Sequence, residues 1–187
     1  MKNKTVFRRE AAAKNIRVFP PPIFFKDCPK TIDLSDVISQ YSQLRLETGW
    51  HIFSSRGQVY AVVNGVKVSP DDLLAGVNGD ESPLSYLQAS VFYHHLMEYS
   101  DHKTGVISQA IIDDDSIAQL DLLGHWNFGS QKRSFNPIFF YDSLMHPAVI
   151  FFTYHQEGME VIRKHVHRFS YESYKLKILQ RTWARIS

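Results

Sequence analysis

Apolar residues recur at helical spacing in two segments of the chain. The first segment, residues 31–49, has Asp33 or Ser35 as its candidate cap. Its periodic apolar positions are Val37, Ile38, Tyr41, Leu44 and Leu46. The second segment, about Pro83 to Asp101, begins with Ser82 as its cap and Pro83 at the first helical position. We therefore predict an N-terminal helix and one long helix.

The other apolar runs are typical of strands. Residues 50–68 hold short runs separated by Ser-Ser-Arg-Gly and by Asn-Gly, a strong hairpin signal, and they predict a three-stranded meander. Residues 105–112 predict another strand, and the continuous apolar run of residues 146–156 indicates a strand buried on both faces. Residues 159–169 and 170–187 predict two more strands, with a helix from Ser170 as the alternative for the last segment.

This order of elements predicts an α+β fold. A mostly antiparallel sheet, built chiefly from the C-terminal third, packs against one long helix, and the N-terminal helix and β-meander extend or cover it. The length of the chain predicts a single α+β domain over residues 31–187. Residues 1–30 form a basic, proline-containing N-terminal arm, which either docks on the domain or joins copies of the chain into a homo-oligomer.

The cysteine content and the apolar runs bear on location. Cys28 is the only cysteine, so no disulfide can form within one chain, and this fits a reducing compartment. No apolar run approaches the roughly 20 residues that span a bilayer, and the N-terminus lacks the apolar run of a secretory signal. We therefore expect a cytoplasmic protein without a membrane partner.

Charge is distributed unevenly along the chain. Residues 1–30 carry eight Lys or Arg and two acidic residues. Residues 31–160 carry six Lys or Arg and sixteen acidic residues, and residues 161–187 carry seven Lys or Arg and one acidic residue. The basic C-terminal segment could bind nucleic acid or an acidic protein, because cations neutralise phosphates and nearby aromatic rings stack on bases. Its candidate contact residues are Lys175, Lys177, Arg181 and Arg185. The alternatives are that the basic ends fold back on the acidic middle, or that an outward row of cations protects a sheet edge.

The long predicted helix ends in a cluster of histidines and acids. His94, Glu98 and His102 lie four residues apart and therefore share one helix face, which continues the apolar stripe of Leu87 and Val91. If that face is buried, these side chains could ligate a divalent transition metal, and Glu98 with His94 could act as a catalytic acid–base pair. If the helix end projects past the core, the same groups are solvated.

A second histidine pair lies in the predicted C-terminal sheet. His165 and His167 point to the same side of a strand, because side chains alternate, so their imidazoles could converge on one metal ion. The alternative is an exposed basic strand face. If the two clusters meet, the metal ligands would come from His94, Glu98, His102, His165 and His167.

Other motifs contribute little to a functional prediction. Asp113, Asp114 and Asp115 could hold a divalent ion, or they could start a helix with Asp115 as its cap. The chain has no phosphate-binding loop, GxGxxG, HExxH or GxSxG motif. The best interpretation is a small-ligand- or metal-binding domain, which could be catalytic, with a His/Glu site between the long helix and the C-terminal sheet. The alternative is a non-enzymatic binding protein that uses its basic C-terminal face.

Overall fold

The computed structural model describes residues 4–6, 31–101, 109–119, 134–155 and 161–185. Two α-helices lie in these ranges, α1 (Pro83–Asp101) and α2 (Asp114–Gln119), together with two 3₁₀ helices, Ser35–Gln40 and Pro70–Asp72. The strands, in chain order, are β1 (Thr5–Val6), β2 (Thr31–Asp33), β3 (Leu44–Leu46), β4 (Trp50–Ser55), β5 (Gln58–Val63), β6 (Val66–Lys67), β7 (Val77–Gly79), β8 (Gln109–Ile112), β9 (Ile138–Tyr141), β10 (Pro147–His155), β11 (Val161–Phe169) and β12 (Leu176–Arg185).

Strand β10 organises the larger sheet. On one side it pairs antiparallel with β11, which in turn pairs antiparallel with β12. On its other side it pairs first with β9 and then with β8. Strand β1 pairs with β9, so Thr5 and Val6 of the predicted arm add a strand to this sheet. The rest of residues 1–30, including the proline run, lies outside the described residues.

Helix α1 lies between two sheets. It contacts β9 and β10 of the larger sheet, and it also contacts β4 and β5 of the smaller sheet, whose strand order is β2-β4-β5-β6. Its residues are buried on nearly every side from Ser85 to Phe92, because a helix between two layers has no solvent-facing side. The question of which helix face meets the core is thereby settled: His94 and Glu98 are buried, and so are Phe92 and Leu96 on the opposite arc.

The two faces of the larger sheet are covered by different elements. The face toward α1 contributes Phe139, Val149, Phe151 and Phe169 to the main core. The opposite face forms a second core cluster, whose members are Ile112, Ile117, Phe135, Phe152, Tyr154 and Ile162. Helix α2 contributes Ile117 to this cluster, so β10 is buried on both faces, as its continuous apolar run predicted.

Several predicted elements are confirmed. The long helix spans Pro83–Asp101, and the Ser82 hydroxyl oxygen caps it by accepting a hydrogen bond from the Ser85 N–H at 3.1 Å. The meander is present as β4, β5 and β6, and Asn64 and Gly65 adopt φ angles of 50° and 81° in its second turn. The last segment forms strand β12, so the alternative of a helix from Ser170 is wrong.

The predicted N-terminal helix is wrong. Its sequence forms β2, the 3₁₀ helix Ser35–Gln40 and β3 instead. Strand β2 pairs with β4, and the Asp33 carboxylate accepts a hydrogen bond from the Ser35 N–H at 2.9 Å, which turns the chain. Val37, Ile38 and Tyr41 still reach the core, because a 3₁₀ helix also buries residues at spacings of three.

Among the described residues, no helix is both long enough and apolar enough to cross a membrane.

A buried histidine cluster as the candidate functional site

Strand alternation turns both strand histidines toward helix α1. His165, His167 and Phe169 occupy alternate positions of β11, and all three are buried. In the register with β10, Phe151 is opposite His165 and Val149 is opposite His167. The two histidines therefore lie in the main core beneath the helix, and the alternative of an exposed basic strand face does not hold for them.

The two predicted histidine clusters meet in space. The ring centres of His94 and His165 are 5.8 Å apart, and those of His165 and His167 are 6.2 Å apart. Phe151 contacts both strand histidines: it stacks on His165 at 4.7 Å and meets the His167 ring edge to face at 4.9 Å. We call His94, His165 and His167 the histidine cluster.

Hydrogen bonding differs among these imidazoles. Nε2 of His165 and the Thr153 hydroxyl are 2.8 Å apart and share a buried hydrogen bond. The buried Nδ1 of His167 has no hydrogen-bond partner among the described residues. Buried polar atoms are nearly always paired, so this nitrogen is the feature of the cluster that most needs an explanation.

Burial keeps the imidazoles of His165 and His167 uncharged. It lowers the pKa of His165 to about 3, with smaller contributions from His94 and from the positive charge of Arg163. Burial likewise holds the pKa of His167 well below its ordinary value, and the neighbouring His165 and His94 lower that pKa further. At neutral pH both rings are therefore neutral, and a neutral imidazole is the form that binds metal ions.

His95, which follows His94 on the helix, forms a separate contact with Tyr41. The Tyr41 hydroxyl and Nδ1 of His95 are 2.7 Å apart. Burial, followed by the neighbouring His94, lowers the pKa of His95 to about 4. The Tyr41 hydroxyl and the neutral His95 ring share this hydrogen bond, which ties the 3₁₀ segment to α1.

The other predicted ligands are only partly placed. Glu98 is buried and lies one turn beyond His94 on α1, on the same side of the helix. His102 lies outside the described residues. Within the ranges that the structure describes, no three His, Cys, Asp or Glu side chains are arranged to hold a metal ion. The predicted metal site is thus not preformed there: the histidine rings meet edge to face, at interplanar angles of 67° and 87°.

Two contributors to the cluster were missed by sequence reasoning. Thr153 and Phe151 lie on the cluster's side of β10 and contact His165. The available signal was the position of Thr153, a hydroxyl residue inside an otherwise apolar strand. In a strand buried on both faces, such a residue needs a buried polar partner.

The aspartate run has a structural role. The Asp113 carboxylate accepts hydrogen bonds from the N–H and the hydroxyl of Ser116, so Asp113, and not the predicted Asp115, caps α2. Asp114 accepts hydrogen bonds from the Phe135 N–H and the Asn136 amide, and so holds the chain that leads into β9.

The basic C-terminal residues lie along the edge strand β12 and just before it. Lys175 is exposed and forms an ion pair with Asp72, which raises the lysine pKa. Lys177 is exposed. Arg181 and Arg185 occupy β12 opposite Lys164 and Val161, and their side chains lie outside the description.

Comparisons with protein-family models, with curated proteins and with solved structures find no match to this chain.

Proposed function

We propose that the protein binds a transition-metal ion through the histidine cluster, with Glu98 as the candidate fourth ligand. The observation that carries this proposal is the unpartnered Nδ1 of His167, buried beside His165 and His94. A buried ring nitrogen without a partner costs about 1–3 kcal/mol, and coordination of an ion would remove that cost.

The chemistry of the donor set favours zinc or a neighbouring first-row transition metal. Neutral imidazole nitrogens suit zinc, copper, iron and nickel, whereas calcium and magnesium prefer oxygen ligands. The lowered pKa values of His165 and His167 mean that no proton competes for their nitrogens at neutral pH. A carboxylate such as Glu98 commonly completes a site of this kind.

The spacing of the rings favours an ion over an organic ligand. The ring centres of His94 and His165 are 5.8 Å apart, those of His165 and His167 are 6.2 Å apart, and Phe151 packs against the rings of His165 and His167. An ion at about 2.1 Å from each nitrogen requires the rings to rotate, and His165 could bind it through Nδ1 while Nε2 keeps its hydrogen bond to Thr153. A molecule of several atoms would need a larger rearrangement of these packed rings than an ion needs. The small-ligand version of the prediction is therefore the less favoured one.

Catalysis by His94 and Glu98 stays a prediction. Their burial fits a pair of metal ligands as well as it fits an acid–base pair. Whether His94 and Glu98 are metal ligands or an acid–base pair therefore depends on the outcome of the metal-binding test.

The test is direct metal analysis followed by titration. The untagged protein would be purified, its metal content measured, and the metal-free protein titrated with Zn²⁺ and with Co²⁺, whose visible absorption reports coordination. The test variants are His94→Ala/His165→Ala and His167→Asn. His51→Asn is the matched control, because His51 is an exposed histidine on β4.

We expect about one ion per chain in the parent and in His51→Asn, and a loss of binding of at least a hundredfold in the cluster variants. Circular dichroism checks that those variants fold. Absence of binding in the parent, or equal binding in parent and cluster variants, would refute the proposal.

A second candidate function is binding of an anionic partner, nucleic acid or an acidic protein, along β11 and β12. The register places Arg168 opposite Lys177 and Lys164 opposite Arg181. Like charges directly opposite on neighbouring strands destabilise a sheet, and an anionic partner would relieve that repulsion. Against this, Arg168 already pairs with Asp142 at 2.8 Å.

This second candidate is tested by salt dependence. Fluorescence anisotropy with a labelled single-stranded oligonucleotide, at low and at physiological salt, would compare the parent with Lys177→Glu. Lys67→Glu, an exposed lysine on β6, is the control. If added salt and Lys177→Glu weaken binding, and Lys67→Glu does not, nucleic-acid binding along β11 and β12 is supported. If the two substitutions weaken binding equally, a specific binding face on β11 and β12 is excluded.

A further inference from the structure

The buried hydrogen bond between His165 and Thr153 joins the histidine cluster to the central strand of the larger sheet. Nε2 of His165 and the Thr153 hydroxyl oxygen are 2.8 Å apart, and both residues are buried. The bond crosses diagonally from β11 to β10, because Thr153 is opposite Arg163 in the register and His165 lies two residues farther along β11. It therefore holds one nitrogen of the ring against the neighbouring strand.

Thr153 is itself firmly placed. Its backbone lies between two paired strands, because it is opposite Ile111 of β8 on one side and Arg163 of β11 on the other. Its side chain is fully buried, and a β-branched side chain has few rotamers. The hydroxyl that meets His165 can therefore move little, as is required of a group that positions a ligand.

Phe151 restrains the same imidazole in a second way. Its ring stacks on His165 with the ring centres 4.7 Å apart and the planes 9° apart. The stacking fixes the plane of the imidazole, and Thr153 fixes which nitrogen faces its hydroxyl. Turning the imidazole over would replace Nε2 by a ring carbon and break the hydrogen bond. Together the two contacts hold His165 in one orientation.

The single ring hydrogen of neutral His165 can lie on either nitrogen. Burial keeps the ring neutral at neutral pH, so one nitrogen carries the hydrogen and the other carries a lone pair. If the Thr153 hydroxyl donated to Nε2, the hydrogen would lie on Nδ1 and would need an acceptor of its own. Among the described residues, His165 forms one hydrogen bond, the one to Thr153. A buried N–H without an acceptor is rarer than a lone pair without a donor, which favours Nε2–H donating to Thr153.

This tautomer leaves the lone pair on Nδ1 of His165. An imidazole that binds a metal ion through one nitrogen nearly always donates its other N–H to a nearby oxygen. That second contact fixes the tautomer and the orientation of the ring, and it makes the ring a better ligand. The Thr153 hydroxyl oxygen, 2.8 Å from Nε2, is an oxygen in this position.

We propose that Thr153 is a positioning residue of the histidine cluster: its hydroxyl accepts the hydrogen bond from Nε2–H of His165 and so makes Nδ1 the nitrogen that binds the metal ion. This inference rests on the proposed function, because it concerns the same ion. The tautomer itself needs no ion, so it is also tested in the metal-free protein.

NMR of the protein with ¹⁵N-labelled histidine tests the inference at pH 7. Long-range ¹H–¹⁵N spectra distinguish a protonated ring nitrogen from one with a lone pair, and comparison with His165→Gln identifies the His165 signals. The test variant is Thr153→Val, which removes the hydroxyl at nearly constant volume. The matched control is Thr153→Ser, which retains the hydroxyl. Spectra are recorded without metal and after addition of Zn²⁺, and the affinity for zinc is measured by titration.

In the metal-free parent and in Thr153→Ser, we expect Nε2 of His165 to carry the hydrogen, and in Thr153→Val we expect a mixture of the two tautomers. After zinc is added to the parent, we expect Nδ1 to coordinate the ion while Nε2 stays protonated. Thr153→Val should weaken zinc binding by about 10–100-fold, and Thr153→Ser should retain the affinity of the parent. A purely structural threonine would change stability and leave the tautomer unchanged.

Three results would overturn the inference: the hydrogen on Nδ1 in the metal-free parent, coordination of zinc through Nε2, or the tautomer of the parent retained in Thr153→Val. Each of them leaves the proposed function standing if the parent binds zinc. Absence of zinc binding in the parent would refute the proposed function and, with it, the ligand role of Nδ1, even where the hydrogen lies on Nε2.

Discussion

Lowering the pH from 7 to 5 should destabilise the metal-free protein through its buried histidines. The pKa of His165 is about 3 in the folded state, against 6.5 for an ordinary histidine, and that of His95 is about 4. Below pH 6.5 the unfolded chain therefore binds more protons than the folded one. The stability that these groups support is complete above pH 6.5, and it is lost as the pH falls toward the folded values.

The size of the loss follows from the same values. For a histidine with these two pKa values, the free energy of unfolding falls by about 2 kcal/mol between pH 7 and pH 5. His165 and His95 together give about 4 kcal/mol, and His167 adds to this because its pKa is also lowered. A domain of this kind has roughly 5–15 kcal/mol of stability in total, so the effect is large.

Urea unfolding at pH 7, 6 and 5, in the presence of a chelator, measures this loss. We expect His165→Gln to remove roughly 2 kcal/mol of it, while His51→Gln retains the full loss because His51 is exposed on β4. A total loss below about 1 kcal/mol in the parent, or an identical loss in His165→Gln, would refute the assignment of these rings as neutral buried groups.

Three further substitutions test local packing and hydrogen bonding by urea unfolding at pH 7. Gly76→Ala places a methyl group against the Trp50 ring and should lower the free energy of unfolding by about 2 kcal/mol, and an unchanged midpoint would contradict this contact. Tyr41→Phe removes the hydrogen bond to His95 and should cost about 1–2 kcal/mol, and a neutral result would contradict that bond. In the metal-free protein, His167→Leu replaces the ring with a side chain of similar volume and removes an unpaired buried nitrogen. We expect the free energy of unfolding to rise by about 1 kcal/mol. A loss above about 2 kcal/mol would show that the ring has a partner.

Much of the fold could be predicted because local signals agreed with the tertiary structure. The cap and proline at the start of α1, and Asn64-Gly65 between β5 and β6, act within a few residues, so the sequence pattern is sufficient for them. The N-terminal segment failed because its apolar spacing fits both a helix and a 3₁₀ helix between two short strands. Pairing of Thr31 with Ser55 of β4 decides between them, and that contact is remote in sequence.

The candidate site could be predicted only in part, for a related reason. Helical spacing placed His94 and Glu98 on one face, and strand alternation placed His165 and His167 on one side. Neither pattern could show that the two faces meet. The helix carries apolar residues on both arcs, so its pattern could not reveal that a second sheet covers the far side and buries the whole helix.

The histidine cluster is not needed to fill the core. Phe169 occupies the next inward position of β11 after His167 and packs against Tyr86 of helix α1, so this face of the sheet accepts apolar rings. Imidazoles at the two preceding inward positions leave one nitrogen unpaired and make the fold sensitive to acid, and apolar side chains would avoid both costs. Polar groups that reduce stability in this way are expected where a site has to bind something. We therefore keep the proposal of a bound metal ion, because the neutral imidazole nitrogens of His165 and His167 are donors that transition-metal ions favour.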